Sequence, residues 1–250
     1  MASRPAPRTL EVIASQRVTP NMLRLTLGGP GLDGFPEGSA GGYVKLRLPQ
    51  PGSDKPVVRT YTVRAQREAE IDVDFALHGH GATGVATAWA LAAQPGDKIE
   101  IGGPGPAKPL PPGRDFYLLA GDMTALPAIS VNIEALPADA RGLAVIEVQS
   151  EADIPALACP HGVEMVWLVN PEPGAQPGLL AERLRDVAWP DGALYAWAAS
   201  EFSAMRAMRE YLRGERGLGP DALYISSYWK AGETEDNHKV IKREDAEAAG

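Results

Sequence analysis

Short runs of alternating apolar and polar residues occupy the N-terminal part of the chain. In YVKLRLP (43–49), Val44, Leu46 and Leu48 alternate with polar or aromatic neighbours. Such alternation is typical of β-strands with one buried face. It predicts strands over residues 10–18, 21–29, 43–49, 71–78 and 97–101. The alanine-rich segment 83–93 is instead predicted to be helical. Because glycine and proline separate the predicted strands, we expect an antiparallel barrel or sandwich.

A different rhythm follows in the second half of the chain. The nearly all-apolar run DFYLLAGD (115–122) predicts a buried strand, and helical and strand-like segments alternate after it. Further strands are predicted over residues 143–150, 163–170, 192–200 and 222–229. Helices are predicted over residues 124–136, 179–187 and 202–213. Alternation of strands with helices favours a parallel sheet covered by helices.

The two rhythms predict two domains. We expect a β-barrel domain over residues 1–103 and an α/β domain over 114–230, joined by the proline- and glycine-rich linker 104–113. Residues 231–250 are polar, and we expect a partly ordered helix or a frayed end there. The predicted fold class is therefore a β-barrel plus α/β, with an antiparallel barrel first and a parallel-sheet domain second.

Composition narrows the chemistry that this fold can carry. The formal net charge of −8 argues against a nucleic-acid binder and means that an anionic ligand requires a local basic patch. The single cysteine, Cys159, excludes an internal disulfide and a cysteine-ligated iron–sulfur cluster, so redox chemistry requires another cofactor. The sequence shows neither an apolar run long enough to span a bilayer nor the apolar core of a signal peptide. We therefore expect a cytoplasmic protein without a membrane partner.

The stretch RTYTVR (59–64) combines a guanidinium with a phenol ring. In a strand, Arg59 and Tyr61 share one face, and Thr60 and Thr62 share the other. A guanidinium can bind a phosphate through two hydrogen bonds, and a tyrosine ring can stack on a flat aromatic group. The stretch therefore suits an aromatic ligand that carries a phosphate, and the alternative is an exposed strand with no ligand.

A glycine-rich turn, HGHGATGVATAWA (78–90), precedes the predicted helix of the first domain. Its G-x-G-x-x-G spacing is that of a dinucleotide-binding loop. However, Asp72 and Asp74 alternate along the preceding strand as in a half-exposed antiparallel strand, and no long parallel strand follows the helix. We therefore predict only an anion site at the helix N-terminus, with a tight turn that caps the helix as the alternative.

The run AGDMTALPAIS (120–130) follows the first strand of the α/β domain. Parallel sheets bind ligands at the carboxyl ends of their strands, and AWAASE (196–201) ends at the same edge. We expect a cleft there, with Thr124 as a candidate N-cap of the following helix; the alternative is an ordinary helix cap by the aspartate or threonine of this run. The four histidines lack metal-ligand spacing, so we expect structural or exposed histidines and no metal site.

Five motifs in order link these segments to a known family: RTYTVR, DVDFALHGHGATGVATAWA, AGDMTALPAI, YAWAASEFSAMRAMREYLR and YISSYWKAGETEDNH. In this order they cover nearly the whole chain, which resembles the siderophore-interacting proteins, a branch of the ferredoxin-reductase-like flavoproteins. The resemblance implies an N-terminal FAD-binding barrel and a C-terminal NAD(P)H-binding domain. It also implies an enzyme that reduces ferric siderophores in the cytoplasm and releases ferrous iron.

The resemblance also implies a role for particular residues. Arg59 would contact the FAD phosphate, and Tyr61 and Thr62 the isoalloxazine ring. The implied FAD-binding residues are Arg59, Thr60, Tyr61, Thr62, His78, Gly81, Thr83, Gly84, Ala86, Thr87 and Trp89. Those implied for the NAD(P)H cleft are Asp122, Thr124, Ala125, Ser200 and Glu201. Lys45 and Lys230 would bind the anionic ferric siderophore.

The chain departs from the family pattern at four positions. Val85 stands where the family has proline, Met123 where it has glutamate, and Ser200 and Ser227 where it has glycine. Because Met123 and Ser200 fall in the implied nicotinamide cleft, the electron donor and its efficiency remain open.

Three donors and three functions are considered. Glu151, after the second α/β strand, favours the free ribose hydroxyl of NADH over NADPH, and a ferredoxin is the third donor. The alternatives to a siderophore reductase are a flavin oxidoreductase with another acceptor and a siderophore-binding protein without catalysis. We expect a monomer.

Overall fold

The computed structural model describes residues 6–50, 52–77 and 84–248. Its contacts divide the chain into two compact units. The first unit contains the chain up to Pro109 together with Ser130–Asn132, and the second contains the remainder. Each unit has its own core and is described by itself.

The described strands of the first unit form a closed antiparallel barrel. They are β1 (Arg8–Thr19), β2 (Met22–Gly28), β3 (Tyr43–Gln50), β4 (Ser53–Arg67), β5 (Glu70–Ala76) and β6 (Lys98–Gly105). The strand order around the barrel is β1-β2-β5-β4-β3-β6, which confirms the barrel prediction. Helix α1 (Val85–Ala92) buries Ala86 and Ala90 against the apolar core of this unit. Strand β6 pairs with β3 as far as Gly105, so the first residues of the proline-rich segment belong to the barrel.

Strand β5 corrects the expectation of a half-exposed face. Asp72 and Asp74 are only 5% and 8% exposed. Arg24 donates two hydrogen bonds to Asp74, at 2.6 and 2.8 Å, and Arg67 donates two to Asp72, at 2.8 and 2.7 Å. Burial opposes ionisation of Asp72, but the bonds from Arg67 and Thr26 outweigh it and lower the pKa of this carboxyl. Alternating acidic residues therefore mark a face that arginines cover.

The second unit is built on a five-stranded parallel sheet, as the alternating pattern predicts. Its strands are β7 (Phe116–Gly121), β8 (Arg141–Val148), β9 (Gly162–Val169), β10 (Leu194–Glu201) and β11 (Leu223–Trp229), in the order β11-β10-β7-β8-β9. The helices are α2 (Leu126–Glu134), α3 (Leu179–Arg185), α4 (Phe202–Arg209) and α5 (Glu235–Ala248), and a π-helical turn, Glu210–Glu215, follows α4. Within the described ranges, no helix has both the length and the apolar character needed to cross a membrane.

The polar tail of the chain forms helix α5. His238 on this helix is buried, Lys242 Nζ donates to Ser226 Oγ at 2.7 Å, and Asp245 forms a two-bond ion pair with Arg209 of α4. The helix alternative for this segment is therefore the one that the structure shows. Its polar composition reflects partners that are themselves polar, namely the hydroxyl groups and carbonyl oxygens at the end of β11 and the arginine of α4.

Candidate functional site

In the barrel, strand pairing fixes the direction of each side chain of RTYTVR. Arg59 lies opposite Leu46, Tyr61 opposite Val44, and Thr60 opposite Lys45. Directly opposed residues share a face of the sheet, and Leu46 and Val44 are fully buried. Arg59 and Tyr61 therefore share the inward face, where both are half-buried, whereas Thr60 and Lys45 are exposed on the outward face.

A cluster of aromatic rings holds Tyr61. Its ring centroid lies 4.3 Å from that of Phe75, and the Phe75 centroid lies 6.3 Å from that of Trp89 on α1. The tilted arrangement of these rings is a favourable one for aromatic side chains. On the same face, Arg59 Nη1 donates to the carbonyl oxygen of Val58 at 3.0 Å. Packing thus fixes the phenol ring on the face that also carries a guanidinium.

The N-terminus of α1 offers backbone N–H groups close in sequence to these rings. Gly84 is the N-cap residue, no side chain within the described part of the chain caps the helix, and its first turn has no acidic residue. Uncapped N–H groups at a helix N-terminus favour an anion such as phosphate. Gly84 is exposed, whereas Ala86 and Thr87 are buried. The predicted ligands His78, Gly81 and Thr83 lie outside the described residues.

These groups fit a flavin dinucleotide. A guanidinium and uncapped N–H groups suit the pyrophosphate, and an immobilised phenol ring suits the flat isoalloxazine. Thr60 and Thr62 lie on the other face of β4, so their hydroxyl groups do not share the face of Arg59 and Tyr61. The set contains no residue that must itself donate or accept a proton during reduction of the flavin.

In the α/β unit, Asp122 ties three strand ends together. Its Oδ1 accepts hydrogen bonds from Thr124 N at 2.9 Å, from Thr124 Oγ1 at 2.5 Å and from Ala125 N at 3.3 Å. Its Oδ2 accepts from Glu201 N and from Trp229 Nε1, both at 2.8 Å. Helix α2 begins only at Leu126, and its preceding turn is held by Asp122. The prediction of Thr124 as the capping residue is therefore wrong, because the aspartate carboxylate reaches the N–H groups first.

Glu201 and Ser200 are also used internally. Glu201 Oε2 accepts from Ser203 N and from Ala204 N, which caps α4, and Oε1 accepts from Ala231 N at 3.1 Å. Ser200 is fully buried, and its hydroxyl donates to the carbonyl oxygen of Glu201 at 3.1 Å. The structure thus brings the predicted cleft residues to one edge of the sheet, where the carboxylates of Asp122 and Glu201 accept hydrogen bonds from backbone N–H groups.

Glu147, at the carboxyl end of β8, is an acidic residue that the sequence reasoning missed. It is 7% exposed, and Asn170 Nδ2 donates to its Oε1 at 2.9 Å. Burial raises the pKa of Glu147 to about 7, and the charges of Asp122 and Glu201 add to this rise, while the bond from Asn170 opposes it. Glu151, the residue chosen from the sequence, is exposed in a short turn, Glu151–Asp153. The position of Glu147 near the end of β8, one residue before Val148, is the feature that links it to the sheet edge.

The two predicted siderophore lysines lie in different units and different surroundings. Lys45 is exposed on β3, whereas the Lys230 ammonium lies 4.9 Å from the ring centroid of Phe202, a cation–π contact. Among the described residues, neither lysine has a carboxylate at ion-pair distance. Both cations therefore remain available to an anion.

The histidines and the cysteine have structural surroundings where they are described. His161 is exposed, and His238 is buried against Ser227. Burial raises the pKa of the Cys159 thiol, which disfavours the reactive thiolate. Over the described ranges, no group of three or more histidine, cysteine and acidic side chains is arranged to hold a metal ion.

The barrel followed by a parallel α/β unit is a ferredoxin-reductase-like fold. Ferredoxin-NADP+ reductase from Plasmodium falciparum shares this fold, with a TM-score of 0.68 at 11% identity over 89% of this chain and 96% of that one. The chain belongs to the siderophore-interacting protein family. The family's siderophore-interacting protein model matches residues 114–232, and its siderophore-interacting FAD-binding domain matches 11–58 and 50–108. These matches confirm both the family resemblance and the predicted FAD cofactor.

Individual relatives match along almost the whole chain. The ferric vibriobactin reductase ViuB of Vibrio cholerae is 36% identical over 92% of each chain. The NADPH-dependent ferric-chelate reductase of Escherichia coli is 26% identical over 90% of this chain and 93% of that one. The crystal structure of the siderophore-interacting protein SipS from Aeromonas hydrophila has a TM-score of 0.86 at 34% identity and covers 96% of this chain and 98% of SipS.

The raised pKa of Glu147 predicts how stability changes with pH. Its pKa is 4.5 when unfolded and about 7 in the fold, so the folded state binds the extra proton and stability falls as pH rises between these values. Glu147→Gln keeps an acceptor for Asn170 without the charge. We expect it to stabilise the protein at about pH 8 by roughly 3 kcal/mol and to change little near pH 5. Chemical denaturation at both pH values measures this difference.

A matched control for this test is Glu164→Gln, because Glu164 is exposed on β9. It removes the same charge and is expected to leave stability nearly unchanged at both pH values. An equal gain for Glu147→Gln at both pH values would show that the carboxylate is not destabilised by its surroundings.

Proposed function

We propose that this protein is an FAD-dependent reductase of ferric siderophores that takes electrons from a nicotinamide nucleotide in the cytoplasm and acts as a monomer. The observation that carries the proposal is the presence, in one chain, of an FAD-binding barrel with Arg59 and Tyr61 on one face and a siderophore-interacting α/β unit. The relatives named as ferric reductases support the same activity. Reduction serves release, because Fe(II) is softer than Fe(III) and holds hard oxygen ligands less well.

In this proposal, the barrel residues hold and orient FAD. Arg59 binds the pyrophosphate together with the N–H groups that follow Gly84, and Tyr61 and Thr62 contact the isoalloxazine ring. Thr60, Ala86, Thr87 and Trp89 line the site, and His78, Gly81 and Thr83 complete it on the family pattern. When bound, FAD accepts two electrons as a hydride and can release them one at a time to iron. Because the cofactor carries that chemistry, we assign no protein acid or base to it.

The carboxyl edge of the α/β sheet is the proposed site of the nicotinamide nucleotide. Ligands of parallel sheets bind where strand ends meet. Asp122 holds the turn after β7, and Glu201 caps α4 directly after β10 and holds Ala231 after β11. Thr124 and Ala125 lie on the turn after β7, and Ser200 lies at the end of β10. These residues position backbone groups around the nucleotide, and their buried carboxylates do not themselves need to contact it.

Loss of the Arg59 guanidinium is expected to weaken FAD binding. A hydrogen bond to a charged group contributes about 1.5–3 kcal/mol, so Arg59→Ala should raise the Kd for FAD by roughly 10- to 100-fold. Arg59→Lys should recover only part of the loss, because an ammonium cannot donate in the two-pronged geometry of a guanidinium. Titration of apoprotein with FAD, followed by flavin fluorescence, measures both variants. Arg17→Ala removes an exposed arginine of the same barrel and serves as the control; an equal effect there would remove the special role of Arg59.

The donor is tested by anaerobic stopped-flow bleaching of the bound flavin. We expect NADH to bleach the flavin faster than NADPH, because Glu151 repels a 2′-phosphate. Glu151→Gln should then reduce the preference for NADH over NADPH by about fivefold, the effect of one exposed charge pair. Glu164→Gln should leave this preference unchanged. Faster bleaching by NADPH, as the name of the Escherichia coli relative implies for that protein, would overturn the choice of NADH. Bleaching by neither nucleotide, but by a reduced ferredoxin, would make ferredoxin the donor.

The acceptor is tested through the two lysines. Each exposed charge pair contributes about 1 kcal/mol, so Lys45→Ala combined with Lys230→Ala should raise the KM for an anionic ferric tris-catecholate by roughly 30-fold. The KM for a neutral quinone should stay unchanged. Lys98→Ala, an exposed lysine on β6, is the matched control. An equal loss with both acceptors would favour a flavin oxidoreductase with a different substrate over a siderophore reductase.

A further inference from the structure

A buried hydrogen bond joins the end of strand β11 to helix α5. Ser227 Oγ and His238 Nε2 lie 2.8 Å apart, and the two residues are only 3% and 5% exposed. The bond closes a loop in the chain that begins just before Trp229 and Lys230 and returns through the first turn of α5. Neither residue belongs to the proposed flavin or nucleotide sites.

The same histidine contacts the ring on which Lys230 rests. The imidazole of His238 approaches the Phe202 ring edge-on, with the two centroids 6.3 Å apart, and the Lys230 ammonium lies 4.9 Å from the Phe202 centroid. Phe202 is 5% exposed, so its position is set by packing. Lys230 and His238 therefore both contact the same buried ring, that of Phe202.

Further hydrogen bonds hold the residues on both sides of Lys230. Before it, Trp229 Nε1 donates to Asp122 Oδ2, and after it, Ala231 N donates to Glu201 Oε1 at 3.1 Å. Lys242 Nζ of α5 also donates to the carbonyl oxygen of Ser227 at 2.9 Å. Because residues 227–231 are held by these hydrogen bonds, the backbone of Lys230 has a fixed position.

We propose that His238 is a positioning residue that holds Lys230 for an anionic ferric siderophore. This inference rests on the proposed function. A flexible lysine loses rotamer freedom when it binds an anion, and this loss reduces affinity. Docking of His238 against Phe202 and Ser227 restricts that freedom before the anion arrives. The histidine acts on the substrate only through Lys230.

The electrostatics of the cluster favour a neutral imidazole. Burial lowers the pKa of His238, and the positive charges of Lys242 and Lys230 lower it further, while the carboxylates of Glu235 and Glu201 oppose this. A charged imidazole would repel both lysines and would lose favourable solvation. The neutral ring instead shares a hydrogen bond with Ser227 and leaves Lys230 as the cation that faces an anionic ligand.

A double-mutant cycle on the FAD-loaded protein tests the proposal. The probe is gallium(III) tris-catecholate, an anion of the same charge as the ferric complex that the flavin cannot reduce, and its Kd is measured by calorimetry. We expect Lys230→Ala to raise this Kd about fivefold and His238→Leu about threefold. In the Lys230→Ala background, His238→Leu should have no further effect, because contacting residues that act as one unit are not additive.

Additional variants separate positioning from general stability. His238→Gln keeps a neutral partner for Ser227 and is expected to bind the probe nearly as well as the unaltered protein. His161→Leu, at an exposed histidine, is the matched control. If His238→Leu does not fold, Ser227→Ala removes the same hydrogen bond from the other side and is expected to give the same result.

The outcomes distinguish the inference from the function on which it rests. Unchanged probe affinity in His238→Leu, or an effect that adds fully to that of Lys230→Ala, would overturn the positioning role of His238. Unchanged affinity in Lys230→Ala would instead remove Lys230 from the proposed siderophore site, and the role of His238 with it. A loss of affinity in each single variant, with no further loss in the double variant, supports both the siderophore site at Lys230 and the positioning role of His238.

Discussion

The geometry of the α/β sheet edge depends on the carboxylate of Asp122. One of its oxygens holds the turn that leads into α2, and the other accepts from the Glu201 backbone and the Trp229 indole. Because β7, β10 and β11 are parallel, their carboxyl ends meet at this edge, and one short side chain can reach all three. Each bond to a carboxylate is stronger than a bond between neutral groups. A single acidic residue after a glycine therefore fixes the ends of three of the five strands at this edge.

Concentrating acidic residues at one edge has an electrostatic consequence. Asp122 and Glu201 each receive several N–H groups, whereas the described residues supply Glu147 with one donor, the amide of Asn170. Burial raises the pKa of Glu147 to about 7, and the charges of Asp122 and Glu201 add to this rise. A protonated Glu147 leaves this edge with one negative charge fewer, which would reduce repulsion of the phosphates of the proposed nucleotide.

Local patterns predicted the framework, and tertiary contacts decided the rest. Alternation in YVKLRLP and RTYTVR gives the barrel strands and places Arg59 with Tyr61 on one face, because side-chain direction follows from strand geometry alone. Alternation could not show that Asp72 and Asp74 are buried, since their arginine partners come from the two neighbouring strands, Arg24 from β2 and Arg67 from β4. The choice between Asp122 and Thr124 as cap, like that between Glu147 and Glu151 as the acidic group at the edge, depends on distances that the sequence does not contain.

The C-terminal tail is a second case in which the composition of a segment does not reveal its tertiary contacts. Its composition is that of a frayed end, yet Lys242, Asp245 and His238 each have a partner in the sheet or in α4. The Lys230 ammonium lies 4.9 Å from the Phe202 ring centroid, and no ion pair found among the described residues includes it. In a chain with a net charge of −8, an anionic substrate needs a cation whose field is not cancelled by neighbouring acids. In the proposed function, the hydrogen bonds that join the tail to β11 would hold Lys230 in place for such a substrate.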